Sequence, residues 1–511
     1  MAGKENSQCR KLWPLFLVIY APRLIECYRI QYRAITLLLP EKRFFQMPQQ
    51  KKPSALEGST AKFGGYRLSN GDVSGVSFCE VAGKLWDCII IGAGISGLSA
   101  ARLLQEKGMS VLIIEKESEY GGLVRCTREE NNVLYHRVGG HVFNTRNQAV
   151  ADWFWSQFNR DNEFLHAVRK AQITYDFSRE YGYPIEAHLY EYDRAFCARA
   201  VSDMVSAQVS AEGLNAKNFG DYLKSMFGDT LYRHYFQPYN EKIWRRNLNE
   251  ISVDWLKGKL PQPKYIDAVM ANIFREDDDS MAHSTFYYPL NDGSQFIVKR
   301  LSASLPILSG LIVDKINVDS KLISVNGSFW CRSLIYTGDL RSLPHMMTGV
   351  EFNDALRDAI ESLESNGTSS ALCKSNKLAY SWLYIPSDKY RFHRIIHTGG
   401  FSHTNNGGLD PSKETSCVVE FSGVLSHDEM AEEVAFANIG LEPIAFNCAI
   451  NSYVIHAQDT LCVVEQARQV LKPHGIHLLG RFAEWQYYNM DNAIEAAMSL
   501  VERLTNGADS L

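Results

Sequence analysis

The sequence predicts an α/β fold organised around a Rossmann-type dinucleotide-binding unit. Three observations predict it. An apolar strand at Trp86–Ile91 runs directly into a glycine turn and then into a segment with helical apolar spacing, Leu98–Lys107. A second strand, Ser110–Ile114, ends on an acid at Glu115. With 45% hydrophobic, 12% aromatic and 22% charged residues over 511 positions, the chain has the composition of a packed globular protein with a large core.

Each part of the unit has a physical reason. In the turn Gly92-Ala93-Gly94-Ile95-Ser96-Gly97, Gly92 permits the tight bend and Gly94 leaves room for a pyrophosphate against the backbone. Gly97 lets helix and strand approach, and the helix N-terminus then faces the phosphates. Glu115 falls at the offset of about 20 residues from which an acid accepts a hydrogen bond from a ribose hydroxyl. Gly92, Gly94, Ile95, Ser96, Gly97, Glu115 and the adjoining Lys116 are therefore candidate dinucleotide contacts.

The bulk properties exclude several classes of partner. A net charge of -5 provides no basic field for nucleic acid. The 11 cysteines include no C-x-x-C pair, which argues against a zinc site or a disulfide framework and for a reducing, cytoplasmic compartment. The apolar run Trp13–Ala21 is broken by Pro14 and falls short of the roughly 20 residues that span a bilayer, so no stable membrane insertion is expected. Residues 1–80 read as an N-terminal extension, disordered or not native to the working protein, and the packed chain is expected to begin near Val81.

Gly121-Gly122-Leu123-Val124-Arg125 follows closely and resembles the second glycine pair of the FAD-binding amine-oxidase superfamily. The resemblance implies a loop closing over the flavin diphosphate, with Arg125 adding charge-assisted contacts, and FAD in place of NAD. An ordinary surface turn is the simpler alternative. Near the C-terminus, Gly480-Arg481 and then Tyr488-Asn489-Met490-Asp491, opening an amphipathic helix to Leu504, resemble the closing flavin motif of the same superfamily. Both ends of the chain would then build one FAD-binding domain from discontinuous segments.

Several middle segments resemble the UDP-galactopyranose mutases, in an order extending over most of Val81–Leu511. Val138-Gly139-Gly140-His141-Val142-Phe143 is similar to the loop under the flavin ring, and the resemblance places Gly140 and His141 at the cofactor, with His141 near the flavin N5 edge. A structural histidine is the alternative. Tyr183-Pro184-Ile185-Glu186 resembles a segment that sends a polar residue toward the substrate. Phe236-Gln237-Pro238-Tyr239-Asn240-Glu241-Lys242-Ile243-Trp244 follows the mutase F-x-P-Y-N-x-K-x-W pattern. Tyr287 within Phe286–Pro289, and Tyr384 within Trp382–Pro386, complete the aromatic set. Arg394, in Phe392–Ile396, resembles the arginine that faces the sugar-nucleotide diphosphate; Tyr453 and Tyr487 fall where mutase tyrosines hydrogen-bond the same group, or are half-buried tyrosines satisfied by backbone.

The sequence departs from the mutases at one point. Gln237 and Glu241 stand where an arginine of the helical segment is expected, so a diphosphate would need help from Arg233, Arg245 or Arg246. The resemblance implies an FAD-dependent enzyme interconverting pyranose and furanose forms of a UDP-sugar. Reduced flavin N5 is then the nucleophile, NAD(P)H a candidate reductant, and His141 and Arg394 the catalytic candidates. It also implies a helical insertion and an antiparallel β-sheet substrate domain. The expected segments are 81–150 for the Rossmann part, 151–285 mainly helical, 286–345 returning to the FAD domain, 346–450 antiparallel sheet and 451–511 closing the FAD site. A small-molecule sugar nucleotide is the expected partner, and a homo-oligomer is compatible with the sequence. Two alternatives stay open: an oxidoreductase of the amine-oxidase or protoporphyrinogen-oxidase type, and a non-catalytic flavoprotein binding a sugar nucleotide or a protein.

Overall fold

The computed structural model describes residues 77–210, 216–256, 264–275, 284–320, 322–376 and 380–506. The run Trp13–Ala21 and nearly all of the expected extension lie outside the described residues. The expected start near Val81 falls in a short helix, Phe78–Val81, whose Val81 is 1% exposed and whose Phe78 packs edge-on against Phe329 at 5.3 Å.

One sheet carries the dinucleotide unit. Its strand order is Met347–Thr348, Ile316–Asp319, Leu322–Val325, Phe329–Tyr336, Leu85–Ile91, Val111–Glu115 and Ile307–Ser309. Ile476–Leu478 also pairs with Phe329–Tyr336, in parallel. Leu85–Ile91 is parallel to both neighbours. Stretches far apart in sequence thus form one Rossmann-type layer, discontinuous as the sequence predicts. Both faces are covered: Ile113 joins one apolar cluster with Leu98, Ile335 and Ile494, while Leu112 and Ile114 join another with Leu334, Leu471 and Trp485. Burial on both faces is why the strands read as unbroken apolar runs.

The helix after the glycine turn is Ile95–Glu106, beginning earlier than its apolar spacing predicts. The reason is Gly97, where an added Cβ would overlap the Gly92 carbonyl oxygen, so the helix can start directly on the glycine turn. The second strand is Val111–Glu115, because Ser110 is drawn aside by Asp87, to which its hydroxyl donates at 2.7 Å.

The second sheet runs Glu442–Ile455, Glu364–Asn376, Glu414–Ser422, Phe392–Ile396, Trp382–Tyr384, Ala171–Thr174 and Glu180–Gly182. It is antiparallel except where Trp382–Tyr384 meets Ala171–Thr174 in parallel. The segment expected to be mainly helical therefore supplies two strands to this sheet. A third, Phe164–Val168, pairs with Thr285–Pro289, and the sheet runs past residue 450 to Ile455. Such short strands of mixed polarity carry no periodicity to announce them.

Helices Arg194–Val209, Phe219–Leu231 and Gln237–Trp244 share one apolar cluster with Ile173, Trp382, Tyr384 and Ile396 of the second sheet. A π-helical turn, Tyr232–Phe236, joins the last two. Gly228, at φ 75°, packs so close to the Asp203–Met204 backbone that a Cβ would come within 2.5 Å of it. Among the described residues no helix is long and apolar enough to cross a membrane.

Candidate active site

The candidate dinucleotide cradle consists of three glycine turns that meet. Gly94 caps helix Ile95–Glu106 without a side-chain cap bond, and it bridges Gly121 of the second glycine pair. A Cβ on Gly122 would approach the Gly94 Cα to 3.3 Å, so the two turns meet backbone to backbone. The third turn comes from the far end of the chain: Gly480, at φ 93°, lies so close to Ser96 that a Cβ there would be 2.7 Å from the Ser96 hydroxyl. Glu115 locks the first turn, accepting from the Ala93 N–H at 2.7 Å and the Glu117 N–H at 2.9 Å. A carboxylate has about four acceptor sites, so capacity for a ribose hydroxyl remains. Helix Met490–Thr505 opens on Asn489, paired with Asn492 in a capping box, and burial pushes the Asp491 carboxyl up. Side-chain-free turns and a helix N-terminus fit the diphosphate of a dinucleotide.

The loop Gly139-Gly140-His141 joins this cradle to the second sheet. A Cβ on Gly139 would lie 3.2 Å from Glu420 Oε2 and 3.4 Å from Arg394 Nη2. A Cβ on Gly140 would meet Ile396 at 2.7 Å. Burial, and after it the Arg481 guanidinium, holds the His141 imidazole down to about 4, with Glu420 opposing. His141 is thus neutral near pH 7, and its Nε2 has no hydrogen-bond partner among the described residues.

Arg394 and Glu420 sit at the centre. Arg394 Nη2 donates to Glu420 Oε1 at 2.6 Å and to the Tyr453 hydroxyl at 3.3 Å. The Tyr453 hydroxyl donates to the same Glu420 oxygen at 3.2 Å, and His393 Nε2 lies 3.0 Å from it. Burial works to raise the Glu420 carboxyl, but the Arg394 charge and the His393 hydrogen bond outweigh it and hold the group at about 2. Burial keeps His393 below its ordinary value.

Aromatic rings extend from this centre in two directions. Tyr453 stacks on Tyr487 at 5.7 Å, Trp244 meets Tyr453 edge-on at 5.8 Å, and the Arg481 guanidinium lies 4.8 Å above the Tyr487 ring. Arg481 also donates to the Ser452 carbonyl at 2.8 Å and to the Tyr488 carbonyl. On the other side Tyr239 meets Tyr384 edge-on at 5.4 Å, and Tyr384 packs on Tyr183 at 4.8 Å. Glu186 is buried beside Tyr183 in a short 3₁₀ turn.

Some sequence candidates fall elsewhere. Tyr287 turns away from the aromatic set: it stacks on His166 at 4.7 Å and meets Trp155 at 4.9 Å. Strand alternation sends its neighbours Phe286 and Tyr288 toward the aromatic core instead. Arg125 donates to its own loop at the Glu119 carbonyl, 3.0 Å, and Lys116 is exposed. Asn240 donates back to the Phe236 carbonyl at 2.8 Å. Gln237 Nε2 donates to Glu241 Oε1 at 3.1 Å, so the two positions lacking the expected arginine bond each other. Arg233 pairs with Asp229 and is 74% exposed, Arg246 pairs with Glu364, and Arg245 is exposed beside Gly423.

The sequence reading missed Glu420, His393 and Arg169. Glu420 had a signal: a carboxylate in the apolar run Cys417–Phe421 must find a partner or stay unfavourable. Arg169-Lys170 looks like a solvated turn and carried none.

A family model described as "NAD(P)-binding Rossmann-like domain" matches residues 90–158. Over 433 residues the chain is 22% identical to the UDP-galactopyranose mutase of Mycoplasma genitalium, covering 82% of this chain and 95% of that one. It is 29% identical over 178 residues to a probable UDP-galactopyranose mutase of Klebsiella pneumoniae, a match spanning 34% of this chain and 44% of that relative, less than half its length. A shorter match, 48% over 70 residues, is to the flavin-containing amine oxidase A of Sus scrofa, covering 14% of this chain and 13% of that one. Among solved structures, a reduced UDP-galactopyranose mutase superposes with a TM-score of 0.73 at 21% identity, over 83% of this chain and 95% of that one. A putative protoporphyrinogen oxidase from an Exiguobacterium species superposes with a TM-score of 0.62 at 13% identity, over 83% and 98%. The chain therefore shares the fold of UDP-galactopyranose mutase and of the flavin oxidoreductases.

Proposed function

We propose that the protein is an FAD-dependent mutase that interconverts the pyranose and furanose forms of a UDP-sugar. The observation that carries this reading is the contact between the Gly139–His141 loop and the Arg394–Glu420 pair. It sets the loop directly against a buried ion pair and the Tyr453 hydroxyl bonded to it. An oxidase acting on an apolar substrate has no use for a buried ion pair with a phenol bonded to it at that position.

The residues that would hold FAD are the turns at Gly92–Gly97, Gly121–Gly122 and Gly480–Arg481, with Glu115 and the helix N-terminus at Met490. When bound and reduced, the flavin supplies the nucleophile for displacement at the sugar's anomeric carbon. The remaining work falls to the chain's own residues. Arg394 and Tyr453 hold the diphosphate through charge-assisted hydrogen bonds as it leaves and returns. Glu420 fixes the guanidinium's orientation, and neutral His141 adds a hydrogen bond at the loop without bringing a charge. Rings of Trp244, Tyr453 and Tyr487 flank the ligand and exclude water.

The test is turnover of UDP-galactopyranose and UDP-galactofuranose by the purified flavoprotein, followed by chromatography. Interconversion by dithionite-reduced protein and none by oxidised protein supports the reading. A yellow, reducible protein inert to both sugars overturns it for galactose and favours an oxidoreductase, the reading to which the protoporphyrinogen oxidase likeness points.

A further inference from the structure

A row of buried polar side chains that the proposed mechanism does not use forms one hydrogen-bonded chain. Asn405, Tyr288, His136, Cys126 and Ser294 are each 6% exposed or less. Asn405 Nδ2 lies 2.8 Å from the Tyr288 hydroxyl, which lies 2.6 Å from His136 Nε2. His136 Nδ1 is 3.5 Å from Cys126 Sγ, and that sulfur is 3.2 Å from Ser294 Oγ. The Ser294 hydroxyl ends the chain by donating to the Val124 carbonyl at 2.6 Å. Val124 closes the short 3₁₀ turn Gly122–Val124, which opens on Gly121.

The two ends fix the protons between them. Asn405 Nδ2 also faces the Thr398 carbonyl at 2.8 Å, an acceptor only, so this amide atom is the donor in both bonds. Tyr288 accepts from Asn405 and therefore gives its own proton to His136. His136 Nε2 is then the acceptor, and Nδ1 carries the hydrogen on the side of the Cys126 sulfur. Burial holds this imidazole down to about 3 and pushes the Cys126 thiol up to about 11, so both are neutral near pH 7. At the far end Ser294 gives its proton to Val124 and accepts from the thiol.

Gln295 reaches the same turn from the next position. Its Oε1 accepts from the Cys126 N–H at 3.2 Å and its Nε2 donates to the Tyr120 carbonyl at 3.3 Å, one bond on each side of the glycine pair. The pair is joined to the first glycine turn by backbone, the Gly121 N–H donating to the Ala93 carbonyl at 2.9 Å. Gly121 and Gly122, at φ 129° and 58°, have no side chains to hold that conformation, so it is imposed by the groups around them.

We propose that Ser294 and Gln295 are positioning residues for the cofactor, clamping the Gly121–Gly122 turn in the shape that receives the FAD diphosphate, with the chain from Asn405 fixing the Ser294 hydroxyl. The proposal rests on the flavin reading of the cradle and is independent of which substrate is turned over. A glycine turn ordered only on binding loses affinity to that ordering, and one held beforehand does not. The clamp also brings no charge to the turn, which leaves the diphosphate to the backbone N–H groups and the helix N-terminus.

The experiment is dilution of the purified flavoprotein, with FAD release followed by flavin fluorescence, together with phosphorus NMR of the bound FAD, in wild type, Gln295→Met, Ser294→Ala and Arg233→Ala. Gln295→Met keeps the side chain's length and removes both bonds. It is expected to weaken FAD by about tenfold or more and to shift the bound pyrophosphate signals, with the visible flavin maxima unchanged. Ser294→Ala should move both readouts in the same direction, and the surface variant Arg233→Ala neither. Unchanged FAD affinity in Gln295→Met and Ser294→Ala, or weaker binding with the phosphorus signals at their wild-type positions, overturns the proposal. If Gln295→Met does not fold, Ser294→Ala decides by the same two readouts. A wild-type protein that carries no FAD overturns the flavin reading and the clamp with it, whereas a protein that carries FAD, turns over no UDP-sugar and responds to Gln295→Met as expected supports the clamp and counts against the mutase reading alone.

Discussion

Arg394 and Glu420 are cross-strand partners in the second sheet, and their side chains meet at 2.6 Å with Glu420 1% exposed. A charge pair at that depth is held by geometry and extra hydrogen bonds more than by Coulomb attraction, since desolvation consumes much of the gain. His393 and Tyr453 supply those bonds. The arrangement fixes the direction of the arginine that faces the Gly139–His141 loop.

Removing Glu420 should therefore cost more than an ordinary surface charge. We expect Glu420→Ala to lose about 3–5 kcal/mol of stability, because Arg394 is left buried and uncompensated. The folded carboxyl sits at about 2, below its ordinary 4.5, so the stabilisation is fully present above 4.5 and is lost as pH falls toward 2. Denaturant unfolding of wild type and Glu420→Gln across that window checks it: the gap between them should narrow as pH drops.

His141 should not titrate during catalysis near neutrality. With its folded value at about 4, the imidazole stays neutral well below pH 7, and the stability tied to it is present above the ordinary 6.5 and lost as pH falls toward 4. A kcat/KM profile should show no limb near 6.5 that disappears in His141→Gln. A limb that does disappear assigns His141 a proton-transfer role contrary to this geometry.

The flavin cradle should not tolerate a methyl at Gly97. A Cβ there overlaps the Gly92 carbonyl, which is backbone and cannot swing aside. Gly97→Ala is expected to reduce flavin occupancy severely, measured as the visible flavin absorbance per protein. Gly400→Ala, with nothing within 4 Å, is the matched control and should retain the flavin.

Arginine substitutions should separate site from surface. Arg233 pairs with Asp229 at side-chain exposures of 74% and 52%, a solvated interaction worth roughly 0–1 kcal/mol. Arg233→Ala should leave KM and stability nearly unchanged, while Arg394→Ala should depress kcat/KM by about a hundredfold or more, as expected for a charged group's bonds to a diphosphate. Steady-state kinetics on both variants checks the contrast.

The Rossmann layer was legible in the sequence because its strands are buried on both faces and its turns are written in glycine. Gly92, Gly94 and Gly97 state the turn directly, and the strand Leu85–Ile91 follows from its apolar run. The helix start at Ile95 was hidden, because the glycine that permits it is a weak helix former. The second sheet was only partly legible: Ala171–Thr174 and Glu180–Gly182 are strands by partnership with Trp382–Tyr384 and with each other, and short polar segments show no period of their own. In the candidate site, Arg394 and Tyr453 were visible through resemblance. Glu420 and Arg169 were not, since what distinguishes them is burial against residues 26 and 215 positions away in sequence.

The most direct measurement is a crystal structure of the flavin-loaded, oxidised protein with UDP. We expect the diphosphate to lie between the Gly139–His141 loop and the second sheet, with phosphate oxygens within hydrogen-bond distance of Arg394 and Tyr453. UDP seated elsewhere, with the Arg394 guanidinium still engaged only by Glu420 and Tyr453, would contradict the proposed site.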